Sequence, residues 1–213
     1  TLDTDQIYTG TTGTNTLTVQ STPTQIVVSP VSGYDHDIVS LTASFKDTIH
    51  NKPLENKIIQ FFVNNNPEGF ATTTYEGIAT LSYTINLDAG NYAIFAKFSG
   101  DDIYSTSNGT NNLNVILVVT NVNPANGTTT TNVSQIITVT FNGQIKNGSS
   151  YDTITVKNSQ GTSQTINKNI INNQMIITVS SSYADGTYTL YIPINSIQDL
   201  AGNPLQNTLN NTF

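Results

Sequence analysis

The amino-acid sequence predicts an all-β protein built from two sandwich modules in tandem, and three observations carry that reading. Apolar residues alternate with polar ones over long runs, as in Ile38-Val39-Ser40-Leu41-Thr42-Ala43-Ser44-Phe45 and Thr187-Tyr188-Thr189-Leu190-Tyr191-Ile192. A period of two turns one side of an extended chain inward and the other to solvent. These runs are rich in Thr, Val, Ile, Tyr and Phe, which fit a half-buried pleated surface, and turn residues interrupt them every ten or so positions. Finally, the chain repeats itself. Asp5-Gln6-Ile7-Tyr8, Gly13-Thr14-Asn15, Leu17 and Val19 return at one constant offset as Asp101-Asp102-Ile103-Tyr104, Gly109-Thr110-Asn111, Leu113 and Val115. That offset, about 95 residues, is the size of one small sandwich. The expected organisation is a strand or tail of a preceding repeat at 1–20, a first module at 21–117 and a second at 118–213.

In the first module, strands are expected near 24–29, 37–47, 57–63, 70–75, 77–84, 91–98 and 111–118. Ser32-Gly33, Asn51-Lys52-Pro53, Asn64-Asn65-Asn66-Pro67, Glu76-Gly77 and Ala89-Gly90-Asn91 supply the turns between them. The prolines at 30, 53 and 67 are read as lying between strands, where a missing amide hydrogen does no damage. The second module gives strands near 117–123, 134–142, 151–158, 162–171, 174–179, 186–193 and 208–213. Asn172-Asn173 reads as a tight hairpin turn, because asparagine tolerates positive φ, and 196–203 reads as one short helical turn ended at Gly202. The join between modules is short and apolar, so it bends less than a Gly/Ser tether would.

Composition excludes several classes of function. Charged residues are 10% of the chain and its net charge is −7; all seven cations are lysines, with no basic run, so nucleic acid is not an expected partner. Ser and Thr make up about a quarter of the residues and Asn about an eighth, so neutral hydroxyls and amides must cover the solvated faces. There is no cysteine to staple either module, and no apolar run approaches the roughly 18–20 residues that cross a bilayer as a helix.

Several strings resemble known families. Pro53-Leu54-Glu55-Asn56-Lys57-Ile58-Ile59-Gln60-Phe61-Phe62-Val63, Gly77-Ile78-Ala79-Thr80-Leu81-Ser82-Tyr83 and Ala89-Gly90-Asn91-Tyr92 through Asp101-Asp102-Ile103-Tyr104 resemble the bacterial Ig-like repeats of large surface proteins and adhesins, over residues 25–116. Val122-Asn123-Pro124-Ala125-Asn126-Gly127, Ile136-Ile137-Thr138-Val139-Thr140-Phe141 and, most specifically, Ile197-Gln198-Asp199-Leu200-Ala201-Gly202-Asn203-Pro204-Leu205 resemble a different Ig-like domain, known from bacterial S-layer proteins. The combination is similar to adhesin-like surface proteins of methanogenic archaea and some bacteria. It implies immunoglobulin-like sandwiches, a location outside the cell or in its wall, and no catalytic residues.

The candidate chemistry is sparse. His36 and His50 are the two imidazoles, and no glycine-flanked nucleophile elbow accompanies them, so no enzyme activity, cofactor or catalytic residue is expected. Asp35 and Asp37, and Asp101 and Asp102, offer oxygens to a hard cation such as calcium, but no Asp-x-Asp-x-Asp-Gly loop gathers them, and turn-forming aspartates are the favoured reading. Asn-x-Ser/Thr sequons begin at Asn108, Asn126, Asn132, Asn147 and Asn210, no more than this composition produces by chance. Tyr34, Tyr75, Tyr104, Tyr151 and Tyr183 fall near turns, where exposed rings could stack on sugars, although packing is the commoner use of tyrosine. Tyr92 and Tyr188, each in a Gly-x-Tyr element, suit a corner at which a buried tyrosine returns its hydroxyl to backbone.

The expected function is a non-enzymatic stalk or spacer of a cell-surface or surface-layer protein, whose partners are neighbouring Ig-like domains of the same polypeptide. A module adhering to cell-wall or host glycans is the alternative, and an accessory domain of a secreted polysaccharide-active enzyme the third. Exposed tyrosines gathered on one face would favour adhesion; their dispersal would favour the spacer.

Overall fold

The computed structural model of the chain describes residues 20–129, 134–180 and 183–213. The expected tail strand at 1–19 lies outside the described residues. In the first module β1 (Thr24–Val28), β3 (Ile38–Asp47) and β6 (Ile78–Thr84) form an antiparallel sheet in the order β1-β3-β6. A five-stranded sheet faces it, in the order β2 (Val31–Gly33), β8 (Ser107–Val115), β7 (Gly90–Phe98), β4 (Ile58–Val63) and β5 (Asn66–Thr72). The alternation of β3 shows how the core forms: Leu41, Ala43 and Phe45 are buried, and they join Ile59, Phe61 and Val63 of β4 with Ile94, Ala96 and Phe98 of β7 in one cluster. The rings of Phe45 and Phe98 meet with centroids 4.7 Å apart.

Two turns of the first module differ from the expectation. Ser32-Gly33 belongs to β2, which leaves the sheet of β1 and pairs parallel with β8. Pro30 stands at that crossover; having no amide hydrogen, it cannot continue the first ladder. In the Asn64–Pro67 run only Asn64 and Asn65 form the loop, with φ of 49° and 66°. Two positive φ angles give the hairpin twist that matches the strands. Pro67 sits inside β5, contrary to the expectation, and is tolerated because β5 is the sheet's outer edge and its ladder is bulged opposite Phe61/Phe62.

The second module has a four-stranded sheet in the order β13 (Ile166–Ile171), β14 (Gln174–Val179), β10 (Ile137–Phe141) and β9 (Val119–Asn123). Against it lies a sheet in the order β12 (Thr155–Asn158), β15 (Tyr188–Ile192) and β17 (Leu209–Thr212), with a ribbon of β11 (Ile145–Asn147) and β16 (Ile197–Asp199) beside them. Ile137, Val139, Phe141, Met175, Ile177, Leu190 and Ile192 are among the core residues. The Asn172-Asn173 hairpin forms as expected, pairing Ile171 with Gln174 and holding Asn172 at φ 55°.

Two segments of this module are corrected. Tyr151–Thr153 is a 3-10 turn before β12 rather than its first residues. The segment 196–203 is not a helical turn: Ile197 and Asp199 point inward from β16, two residues apart, and the chain turns only after them.

Candidate functional site

Both Gly-x-Tyr elements build tyrosine corners. The Tyr92 hydroxyl donates to the Asp88 carbonyl at 2.9 Å, and the Tyr188 hydroxyl donates to the Ala184 carbonyl at 3.2 Å while accepting from the Ala184 amide at 3.0 Å. Each bond reaches back four residues and ties the strand's entry to its preceding loop. The Asp199–Asn203 string is likewise structural. Buried Asp199 accepts from the Asn203 amide at 2.8 Å and from its side-chain Nδ2 at 2.7 Å, which closes the turn after β16.

Asp37 and Asp101 accept hydrogen bonds from amides in their turns, and Asp102 is exposed beside Asp101. One Asp101 oxygen accepts from the amides of Ile103 and Tyr104 at 2.9 and 2.7 Å, and the other meets Lys57 Nζ at 2.7 Å. The Lys57 hydrogen bond, helped by those amides, holds the Asp101 carboxyl below its usual range. Asp37 accepts from the Tyr34 amide at 2.8 Å, and Asp35 pairs with His36 Nδ1 at 2.8 Å. Among the described residues no group of three or more acidic, histidine or cysteine side chains could hold a metal ion.

Sequence reasoning missed Asp47. It is buried, it pairs with His50 Nδ1 at 2.6 Å and it accepts from the amides of Ile49 and His50. The His50 hydrogen bond lowers its pKa, the two amides adding to that effect against burial. The signal was there in an Asp-x-x-His spacing, but nothing in the spacing says that the aspartate is inside.

The five candidate tyrosines do not gather. Tyr34 and Tyr75 are exposed, at 41% and 77%. Asp37, which the Tyr34 amide binds, reaches Ile85 at one end of the first module, whereas the loop carrying Tyr75 is tied through Gly77 to Phe45 at the other. Tyr104 and Tyr151 pack against their cores, each with a lysine over its ring: Lys57 at 4.7 Å and Lys168 at 4.3 Å from the centroids. Tyr183 is buried, contrary to the expectation of exposure, in an aromatic cluster with Tyr188 and Phe213. Of the sequons, Asn108, Asn126, Asn147 and Asn210 are exposed, and Asn132 lies outside the described residues.

The junction between modules, read from the sequence as short and apolar, is held by contacts that the sequence does not announce. Val115 is buried in the first core and Leu117 in the second, so the chain passes from one core to the other within two residues. The side chain of Asn142 brackets this passage. Its Nδ2 donates to the Ile116 carbonyl at 2.9 Å and its Oδ1 accepts from the Val118 amide at 2.9 Å. Its backbone accepts from the Ala89 amide at 3.1 Å and donates to the Val118 carbonyl at 3.2 Å. One residue of the second module is thus bonded to the connecting strand and to a loop of the first. Gly143 lies against that loop so closely that an added Cβ would fall 2.7 Å from the Ala89 nitrogen. Ala89 itself packs into the second module's core.

With this geometry in place, comparison with known proteins finds a family likeness in the second half of the chain. Residues 114–213 match the family described as Bacterial Ig-like domain. No curated protein matches the chain. Among solved structures, a titin A168169 substructure overlaps 87% of this chain and 92% of its own, at 12% identity and a TM-score of 0.46. The Yersinia pseudotuberculosis adhesin InvE overlaps 89% of this chain and 58% of its own, at 15% identity and 0.40. The Escherichia coli adhesin FdeC overlaps 88% and 63%, at 14% identity and 0.36.

Proposed function

We propose that the chain is a non-enzymatic spacer of an extracellular or cell-wall protein, in which stiffly joined Ig-like modules hold more specialised parts away from the cell. The observation that carries this reading is the Asn142 bracket. Modules joined within a chain move relative to each other unless their contact is extensive. Here the connection has no free residue between cores and is hydrogen-bonded on both sides. The match of residues 114–213 to a bacterial Ig-like family and the scatter of the exposed tyrosines support the same reading.

Residues 1–20 fit this proposal as the last strand of a preceding repeat. Their counterparts 101–115 have defined work: Asp101 caps the turn, Leu113 and Val115 are fully buried, and Asn111 Nδ2 donates to the Val28 carbonyl at 2.8 Å. At Gly109 an added Cβ would fall 2.6 Å from the Ile26 carbonyl oxygen, so that position needs glycine, and the repeat carries glycine at 13 as well. Asp5, Gly13, Asn15, Leu17 and Val19 carry the residue types for the same work in another module.

Small-angle X-ray scattering tests the spacer reading. One extended particle whose curve is fitted by a single conformer is expected. A curve that needs a broad ensemble of intermodule angles would remove the reading.

A further inference from the structure

The outer face of the five-stranded sheet carries a feature that the spacer reading does not use. Register places Phe70 of β5, Gln60 of β4, Lys97 of β7 and Asn108 of β8 in one cross-strand row. In the adjacent row the rings of Phe62 and Phe95 meet edge to face at 5.5 Å. Phe70 and its neighbour Ile58 are 63% and 61% exposed. They border a groove of about 320 Å³ that also takes in Asn56, Gln60, Lys97 and Ser99, a volume within the range of small-ligand sites.

We propose that this groove binds a polysaccharide bearing carboxylates, with a sugar ring laid on Phe70 and an acidic group held by Lys97. Charge selects the partner's sign. Two lysines line the groove; Lys57 is taken by Asp101 at 2.7 Å, whereas Lys97 is exposed and has no ion pair among the described residues. The groove therefore presents one uncompensated positive charge on a chain whose net charge is −7. Chemistry selects a sugar: an aromatic face takes the C–H face of a ring, and the amides of Gln60 and Asn56 can both donate to and accept from hydroxyls. Area argues against a second protein. Two apolar side chains exposed by about 60% offer on the order of 250 Å², short of the apolar share, about 450 Å², of the roughly 800 Å² per partner of a stable protein interface. The site is independent of the junction, since a flexible pair of modules could carry the same groove.

Affinity electrophoresis of the full chain in gels containing polygalacturonate, with dextran as the neutral control, tests the proposal. Retardation by polygalacturonate and not by dextran is expected, weakened by added salt. Phe70→Ala should weaken it at least tenfold and Lys97→Gln at least threefold, while Tyr75→Ala leaves it unchanged. Both changed residues are exposed, and an unchanged thermal midpoint shows that each variant is folded. Lack of retardation by polygalacturonate, equal retardation by dextran, or retardation insensitive to Phe70→Ala overturns the proposal. So does concentration-dependent dimerisation of the wild type that Phe70→Ala abolishes, which would assign the face to a second copy of the chain.

Discussion

Tyr183 and Tyr188 meet edge to face with ring centroids 4.6 Å apart, yet their hydroxyls have different fates. The Tyr188 hydroxyl is bonded on both sides of Ala184, whereas the Tyr183 hydroxyl is buried with no partner among the described residues. Burial, with the nearby Tyr188, pushes the Tyr183 phenol up to about 12. Tyr188→Phe should lower stability by about 1 kcal/mol, the worth of a made hydrogen bond, because it also orphans the Ala184 groups. Tyr183→Phe should cost nothing or stabilise by up to about 1 kcal/mol, because it removes an unsatisfied polar atom. Urea denaturation of the two variants checks the contrast; equal losses would contradict it. The carboxylates make a second prediction at this scale. Asp47 and Asp101 both have folded pKa values below their unfolded ones, so their stabilisation is present above the usual carboxylate range near pH 4 and is lost as pH falls through the lower folded values. Thermal midpoints between pH 6 and pH 2.5 should fall less steeply in Asp47→Asn/Asp101→Asn than in the wild type. A parallel fall would show that these pairs contribute nothing.

At the scale of elements, the period-two pattern made the long strands legible before any coordinates. β3 and β15 have their inward residues where the alternation puts them, because one buried face demands one register. β8 is the element on which the first module most depends. It is paired on one side with β2 and on the other with β7, and its Leu113 is fully buried. Leu113→Ala should cost about 2–5 kcal/mol, a large share of a small domain's stability; chemical denaturation that shows less than 1 kcal/mol would place the core elsewhere. Short elements were not legible. β2 has three residues and looks like a turn because Ser32-Gly33 is also good turn chemistry, and only its parallel partner β8 makes it a strand. The 196–203 segment has too few residues for periodicity to separate a helical turn from a strand, and the buried Asp199 decided the matter.

At the scale of the molecule, the repeat and the short apolar join were legible, but the groove and the contacts that brace the join were hidden. Phe70 and Lys97 are 27 positions apart in sequence and share a row only through the register of three strands. Asn142 reads as the last residue of the strand expected at 134–142, and nothing local reveals that its side-chain amide spans the passage at Ile116–Val118. On that side chain rests the claim that the modules move as one. The chain has no cysteine, so spin labels can be placed at will. Thr80 and Asn169 are exposed, one on each module. Double electron–electron resonance on Thr80→Cys/Asn169→Cys should give one narrow distance distribution, which Asn142→Ala broadens without unfolding either module. A distribution in the parent as broad as in the Asn142→Ala variant would mean that the junction is a hinge, and the spacer account would fail.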